Sequence, residues 1–211
     1  MDGIIKMISL VIATKNKGKV REINHFLKDL SIKLFSLNDF DDLPDIIEDG
    51  KNFQENSIKK AEITAKALKK LSLADDSGLE VDFLGGSPGV YSSRYSGENA
   101  TDASNRTNLL SELAEVKDIS KRSARFVCHL VLWDPNRGLL FETDGICEGK
   151  IGFEETGYGG FGYDCIFIPD GYNVTMAELS EDEKNKISHR GKALKNFSDF
   201  LQKTRLDFLD K

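Results

Sequence analysis

Asp75-Asp76 followed by Ser77-Gly78 is a pair of adjacent carboxylates beside a hydroxyl. Neighbouring carboxylates repel, and a divalent cation relieves the repulsion while binding phosphate oxygens. Mg2+ takes one or two protein carboxylates and completes its shell with water and phosphate, so one of these aspartates and a glutamate from the acidic stretch Asn38–Gly50 suffice. The pair follows the short apolar run Leu71–Ala74, which places it where a buried strand ends, the usual location of ligand chemistry in open α/β sheets. An Asx-turn without metal is the competing reading. A second candidate is Thr14-Lys15-Asn16-Lys17-Gly18-Lys19, a loop between a strand and a helix start. Backbone N–H groups, the positive end of the helix dipole and three lysines there make an anion site. No G-x-x-x-x-G-K-[ST] loop exists in the chain, and a solvated turn is the alternative.

Gly157-x-Gly159-x-x-Gly162 matches a dinucleotide-binding pattern, but it precedes a strand instead of opening a helix, which excludes the Rossmann reading. It fits better as a backbone-rich surface closing on a flat ligand, with the Phe161 and Tyr163 rings available for stacking, or as a plain surface turn. Lys184 near the start of a capped helix, with His189 and Arg190 at its far end, could turn donors into a cleft, and the planar fork of an arginine suits carbonyl or phosphate oxygens. His25 and His129 lie in a helix and an apolar strand without a nucleophile to serve, and read as structural.

The elements that position these groups follow from apolar spacing. Ile8–Ala13 reads as a buried strand, and Val20, Ile23, Leu27 and Leu30 form one face of a helix. Lys33–Leu37 is a second strand, and Asn38–Gly50 a loop. Asn52-Phe-Gln-Glu55 has the form of a capping box before a helix with Ile58, Ala61, Ala65 and Leu68 inward. Leu79–Leu84 alternates as a strand, Tyr91–Asn99 is a polar loop, and Asp102–Leu113 is a helix. Ala124–Trp133 and Leu139–Thr143 form a hairpin around Asp134–Gly138, with further strands at Cys147–Phe153 and Cys165–Pro169. Ser180-Glu-Asp-Glu183 caps another helix, and Phe197, Phe200, Leu201 and Leu209 mark a last one. This alternation predicts an α/β fold with a mixed sheet and flanking helices.

With 211 residues, 39% hydrophobic and 30% charged, the chain has the composition of a globular protein and is long enough for a substantial core. A net charge of −6 opposes binding to duplex DNA or an anionic membrane, and the aromatics form no basic platform for RNA. Cys128, Cys147 and Cys165 are odd in number and lack C-x-x-C spacing, so neither a disulfide framework nor a thiolate zinc site is expected. Without an apolar run of membrane-spanning length or a leader-like cleavage site, the expected location is the cytoplasm.

Six separated blocks together resemble the inosine triphosphate pyrophosphatase family, above all its bacterial XTP/dITP diphosphatases. They are Ala13–Lys19, Glu48-Asp-Gly50 with Phe53–Ala61, Ala74–Leu79 with Gly85–Val90, Ser93–Gly97, Phe161–Asp164 and Ile187–Arg190, in family order over nearly the whole chain. The resemblance implies a single domain over residues 1–211, an elongated mixed sheet forming two lobes around a central active-site cleft, and a homodimer. Thr14–Lys19 is implied to bind the triphosphate, with Asn16 and Lys19 foremost and Lys60 a second phosphate lysine. Glu48 and Asp76 are implied to hold Mg2+, Asp76 also to accept the proton of the attacking water, and Ser77 to touch substrate. Phe161, Gly162, Tyr163, Asp164, Lys184, His189 and Arg190 are the implied base and sugar pocket. Ser57 stands where alanine is usual, Cys165 where proline often follows, and a few extra residues precede the first strand.

The implied reaction is attack of water on the α-phosphorus of XTP, ITP or dITP, releasing monophosphate and pyrophosphate and cleansing the nucleotide pool. It needs charge neutralisation and in-line positioning more than covalent catalysis. A pocket donating to a 6-oxo group opposes a donor to the 6-amino group of adenine, which sets selectivity. Two alternatives remain: a Maf-type nucleotide pyrophosphatase of other specificity, disfavoured by the Phe161–Asp164 and Ser188-His-Arg190 blocks, and a catalytically silent nucleotide sensor, disfavoured by retention of Glu48 with Asp76.

Overall fold

A computed structural model describes residues 8–30, 32–41 and 43–204. Leu209 and the extra residues ahead of the first strand lie outside them. Strand β1 (Ile8–Ile12), helix α1 (Lys17–Leu27) and strand β2 (Ile32–Ser36) open the chain. β1 and β2 pair in parallel from Ile8↔Ile32 to Ile12↔Ser36. The second strand begins at Ile32, one residue before its expected start, and ends one residue early because Ser36 caps the 3-10 turn Leu37–Asp39: its hydroxyl accepts the Asn38 N–H at 3.3 Å, and Asp39 accepts the Ser36 N–H at 2.6 Å.

Helix α2 (Phe53–Leu68) is followed by β3 (Leu71–Val81), and β3 corrects an expectation. Asp75-Asp76-Ser77-Gly78 does not close a short strand; it runs through the middle of an 11-residue one that is buried at most positions. Ionisable groups are tolerated there because side chains distant in sequence compensate them, which no local pattern reveals. Tyr91–Asn99 is likewise not simply a loop, since Gly89–Arg94 forms a 3-10 helix. Helix α3 (Asp102–Glu112) precedes β4 (Ser123–Asp134) and β5 (Gly138–Ile151), the latter a single 14-residue strand where two were expected. The short β6 (Phe167–Pro169) pairs antiparallel with β5. The sheet order is β2-β1-β3-β4-β5-β6, with β1 also parallel to β3. The sheet is therefore mixed, with helices flanking it, as anticipated.

Helix α4 (Glu181–Ile187) carries the expected capping box, with Ser180 and Glu183 bonded reciprocally. It stops earlier than the charge run implied. Ser188 is extended (φ −64, ψ 154), and α5 (His189–Lys203) begins immediately after it. His189 and Arg190 are thus the first turn of α5 and not the far end of α4. The hydroxyl of Ser188 accepts the Gly191 N–H at 3.0 Å, serving one of the open donors of the new helix. Gly191 sits so close to α4 that a Cβ there would fall 1.8 Å from the Asn185 carbonyl oxygen.

The chain forms two compact units. The first comprises the chain up to Asp76, His129–Asp144 and the chain from Ala193 on. In it Ala13, Ala61, Ala74 and Val131 pack with Ile58 and Trp133, the alanines letting α2 lie close to the strands. The second comprises Ser77–Cys128 and Gly145–Lys192, with a core that includes Leu79, Leu109, Phe126, Tyr163 and Phe167.

Candidate active site

In the first unit, polar groups from α1, α2 and β3 converge on two aspartates. The buried face of α2 is wider than the apolar stripe the sequence suggests: Ala61 and Ala65 are buried as expected and Ile58 packs against the core. That face also includes Asn56, Ser57, Lys60 and Thr64 beside Phe53, Ala61 and Ala65. A helix buries such residues only when partners wait opposite. Asn56 and Lys60 are one helical turn apart and so share a face. Asn56 Nδ2 donates to Asp76 Oδ2 at 3.0 Å, and Lys60 Nζ lies 2.9 Å from Asp76 Oδ1. Ser57 Oγ accepts the backbone N–H of Asp76 and donates to the His129 carbonyl, both at 2.7 Å. Ser57 is therefore a buried hydrogen-bond bridge between α2, β3 and β4.

Lys60 also reaches Glu48 Oε1 at 3.2 Å, so both carboxylates expected to hold a metal converge on one ammonium. Burial pushes the Lys60 ammonium down, but Asp76, Glu48 and Asp75 together outweigh it and hold its pKa above the ordinary value. Asn56 further fixes the Glu48-Asp-Gly50 segment, its Oδ1 accepting the Gly50 N–H at 2.8 Å. Asp75 pairs with Lys19, at 2.8 Å between Nζ and Oδ1. Among the described residues no three His, Cys, Asp or Glu side chains form a metal cluster. Two carboxylates aimed at one cationic position nevertheless match a hard dication that takes its remaining ligands from water and phosphate, so the donor set fits Mg2+.

The loop ahead of α1 is organised by its own side chains. Asn16 Oδ1 caps the helix, accepting the Gly18 N–H at 2.8 Å and the Lys19 N–H at 3.2 Å, while Thr14 Oγ1 accepts the Asn16 N–H at 3.1 Å. Two of the backbone donors counted on for an anion are thus held by Asn16 itself. Lys15 and Lys17 are exposed and Lys19 is half-buried toward Asp75. Glu55, expected to close a capping box on Asn52, instead reaches back to the Lys51 N–H at 2.8 Å while Asn52 Oδ1 accepts its own N–H.

The second unit carries the other candidates. Lys184 Nζ lies 2.7 Å from Asp164 Oδ2, and the same carboxylate oxygen accepts the Phe161 N–H at 2.8 Å. The Phe161 ring has Lys184 Nζ at 5.1 Å and the Arg190 guanidinium at 5.7 Å from its centroid, so one half-buried aromatic plate carries two cations. Arg190 Nη2 donates to Ser77 Oγ at 2.8 Å. His189 lies face to face with Phe126, centroids 4.8 Å apart. Tyr163 departs from expectation. Its ring is part of the apolar core and its hydroxyl donates to the Ser92 carbonyl at 2.8 Å, so it anchors the loop and is not a stacking surface. Burial holds its phenol well above the ordinary range.

Asn56, Asp102 and Arg106 are not singled out by the sequence as site residues, and Asp75, read there as one of a metal-binding pair, is paired with Lys19. The polar positions at Asn56 and Lys60, four apart in a helix otherwise inward-facing, were the available signal for the first. Asp102 and Arg106 grip the backbone of Gly162, and nothing local in the sequence announces it.

The Ham1 family model matches residues 10–200. A dITP/XTP pyrophosphatase of Desulfotalea psychrophila is 53% identical over 185 residues, covering 88% of this chain and 81% of its own length. One from Geobacter sulfurreducens is 49% identical over 195 residues, covering 92% and 97%. Among solved structures, a HAM1 protein from Coxiella burnetii is similar with a TM-score of 0.84 at 44% identity, covering 94% of this chain and all of that one.

Proposed function

The chain belongs to the Ham1 family, and from that premise we propose that it hydrolyses non-standard purine nucleoside triphosphates of the dITP, XTP and ITP type to monophosphate and pyrophosphate. The observation that carries the reading is the Asp76 carboxylate, buried on β3 and held at both oxygens by Asn56 and Lys60, with Glu48 on the same ammonium. A carboxylate fixed in this way has no rotamer freedom to lose when it orients or deprotonates a water for in-line attack. Glu48 and Asp76 are the residues that would hold Mg2+, which when bound supplies charge neutralisation at phosphate oxygens. Lys60 and Lys19 place positive charge where the pyrophosphate leaves, and Lys15 and Lys17 offer exposed ammonium groups beside the α1 cap for the triphosphate. Phe161, with Lys184 and Arg190 on its ring, is suited to stack a purine and to donate to its oxo group.

A cytoplasmic location and a homodimer belong to the same reading. No helix among the described residues is long and apolar enough to cross a membrane. The test of the activity is a nucleotide panel with Mg2+, measuring pyrophosphate and orthophosphate separately. Pyrophosphate from ITP, XTP and dITP, with ATP and GTP far slower, is the expected outcome. Asp76→Asn should lower kcat by about a hundredfold or more. Orthophosphate as the first product, or full turnover by Asp76→Asn, would sink the proposal.

A further inference from the structure

The segment Gly157–Asp164 contains four glycines, the residue that loses most freedom on ordering, so whatever holds it decides where the Phe161 ring sits. Its first half leans on the 3-10 turn Met176–Glu178, where the Ala177 carbonyl accepts the Gly159 N–H at 3.0 Å. Its second half is held from α3. Asp102 Oδ2 accepts the Gly162 N–H, and Arg106 Nη1 donates to the Gly162 carbonyl, each at 2.8 Å. The two side chains are four residues apart on one helix face and together take both backbone groups of the residue following Phe161. Gly162 is left-handed (φ +62) with no heavy atom within 4 Å of a notional Cβ, so its glycine serves the turn and not a close contact. Arg106 is itself braced, its Nε lying 3.0 Å from Glu155 Oε1.

We propose that Asp102 and Arg106 are specificity-determining positioning residues: by clamping Gly162 they fix the Phe161 plate, and with it the distance of the Lys184 and Arg190 donors from the purine oxo group. The inference rests on the reading of Phe161 as the surface on which the base stacks. Neither residue needs to touch substrate. Misplacement of a recognition surface by about 1 Å is enough to cost a large factor in rate for the substrate that depends on it.

The experiment compares kcat/KM for ITP and ATP, with thermal unfolding alongside. Asp102→Ala and Arg106→Ala are expected to lower the ITP-to-ATP ratio by about tenfold, mainly through loss on ITP. Asp102→Asn keeps an acceptor for the Gly162 N–H and should restore most of the ratio. Arg106→Lys cannot serve Glu155 and Gly162 together and should remain low. Equal losses on both nucleotides, or an unchanged ratio in folded variants, overturn the inference. Should Arg106→Ala fail to fold, the exposed Asp102 decides through its alanine and asparagine variants. If instead the unaltered protein shows no preference for ITP over ATP, it is the assignment of Phe161 to the base that fails.

Discussion

Ser57 holds the backbone of Asp76: its buried hydroxyl accepts the Asp76 N–H at 2.7 Å while donating at the same distance to the carbonyl of His129. Ser57→Ala leaves both backbone groups buried without this partner. The expected cost is about 1–3 kcal/mol in urea unfolding. Activity should fall with little change in KM, because the backbone that carries the Asp76 carboxylate loses its anchor while the binding groups stay. A variant as stable as the parent would show that the bridge is dispensable.

Arg190 donates to Ser77 and lies over Phe161, so its removal takes away a charged donor beside the proposed base surface. Arg190→Ala is expected to reduce kcat/KM for ITP by roughly tenfold to a hundredfold. Arg190→Lys should recover little, since an ammonium cannot reproduce the planar fork. Steady-state kinetics on ITP and ATP decide it: an ITP-to-ATP ratio equal to the parent's would remove Arg190 from recognition.

Cys165 is partly exposed, yet burial, opposed by Arg106 and aided by Glu155, pushes its thiol up to about 11. A raised thiol pKa leaves little thiolate at pH 8, roughly a hundredth or less of that in an ordinary cysteine. Alkylation by iodoacetamide, followed by peptide mapping to separate it from the buried Cys128 and Cys147, should be slow at pH 8. It should quicken about tenfold for each unit of pH until near 11. Rapid labelling at neutral pH would contradict this environment.

Local chemistry made much of the architecture legible. The β-branched run at Ile8–Ile12, the Asn52 cap, the Ser180–Glu183 box and the turn after Asp134 each specify an element through neighbours within a few residues. What the sequence hid depends on partners far along the chain. Asp75 and Asp76 read as the end of a strand because isolated carboxylates do not belong inside one. Lys19, Asn56 and Lys60, between 16 and 56 residues away, make their burial possible. The polar part of the inward face of α2 escapes the apolar pattern for the same reason, since Asn56, Ser57 and Lys60 are satisfied only in the folded chain. The break at Ser188 was invisible because the segment on either side has helical composition, and only the capping hydroxyl separates α4 from α5.

The meeting of those two helices has a geometric corollary. Between Gly191 and the Asn185 carbonyl there is room for a hydrogen atom and nothing larger. Lys184 stands on one side of this junction and Arg190 on the other. The gap between the two cations is therefore gauged by the smallest side chain available, and a single added methyl group would work as a wedge, spreading them apart without altering either charge.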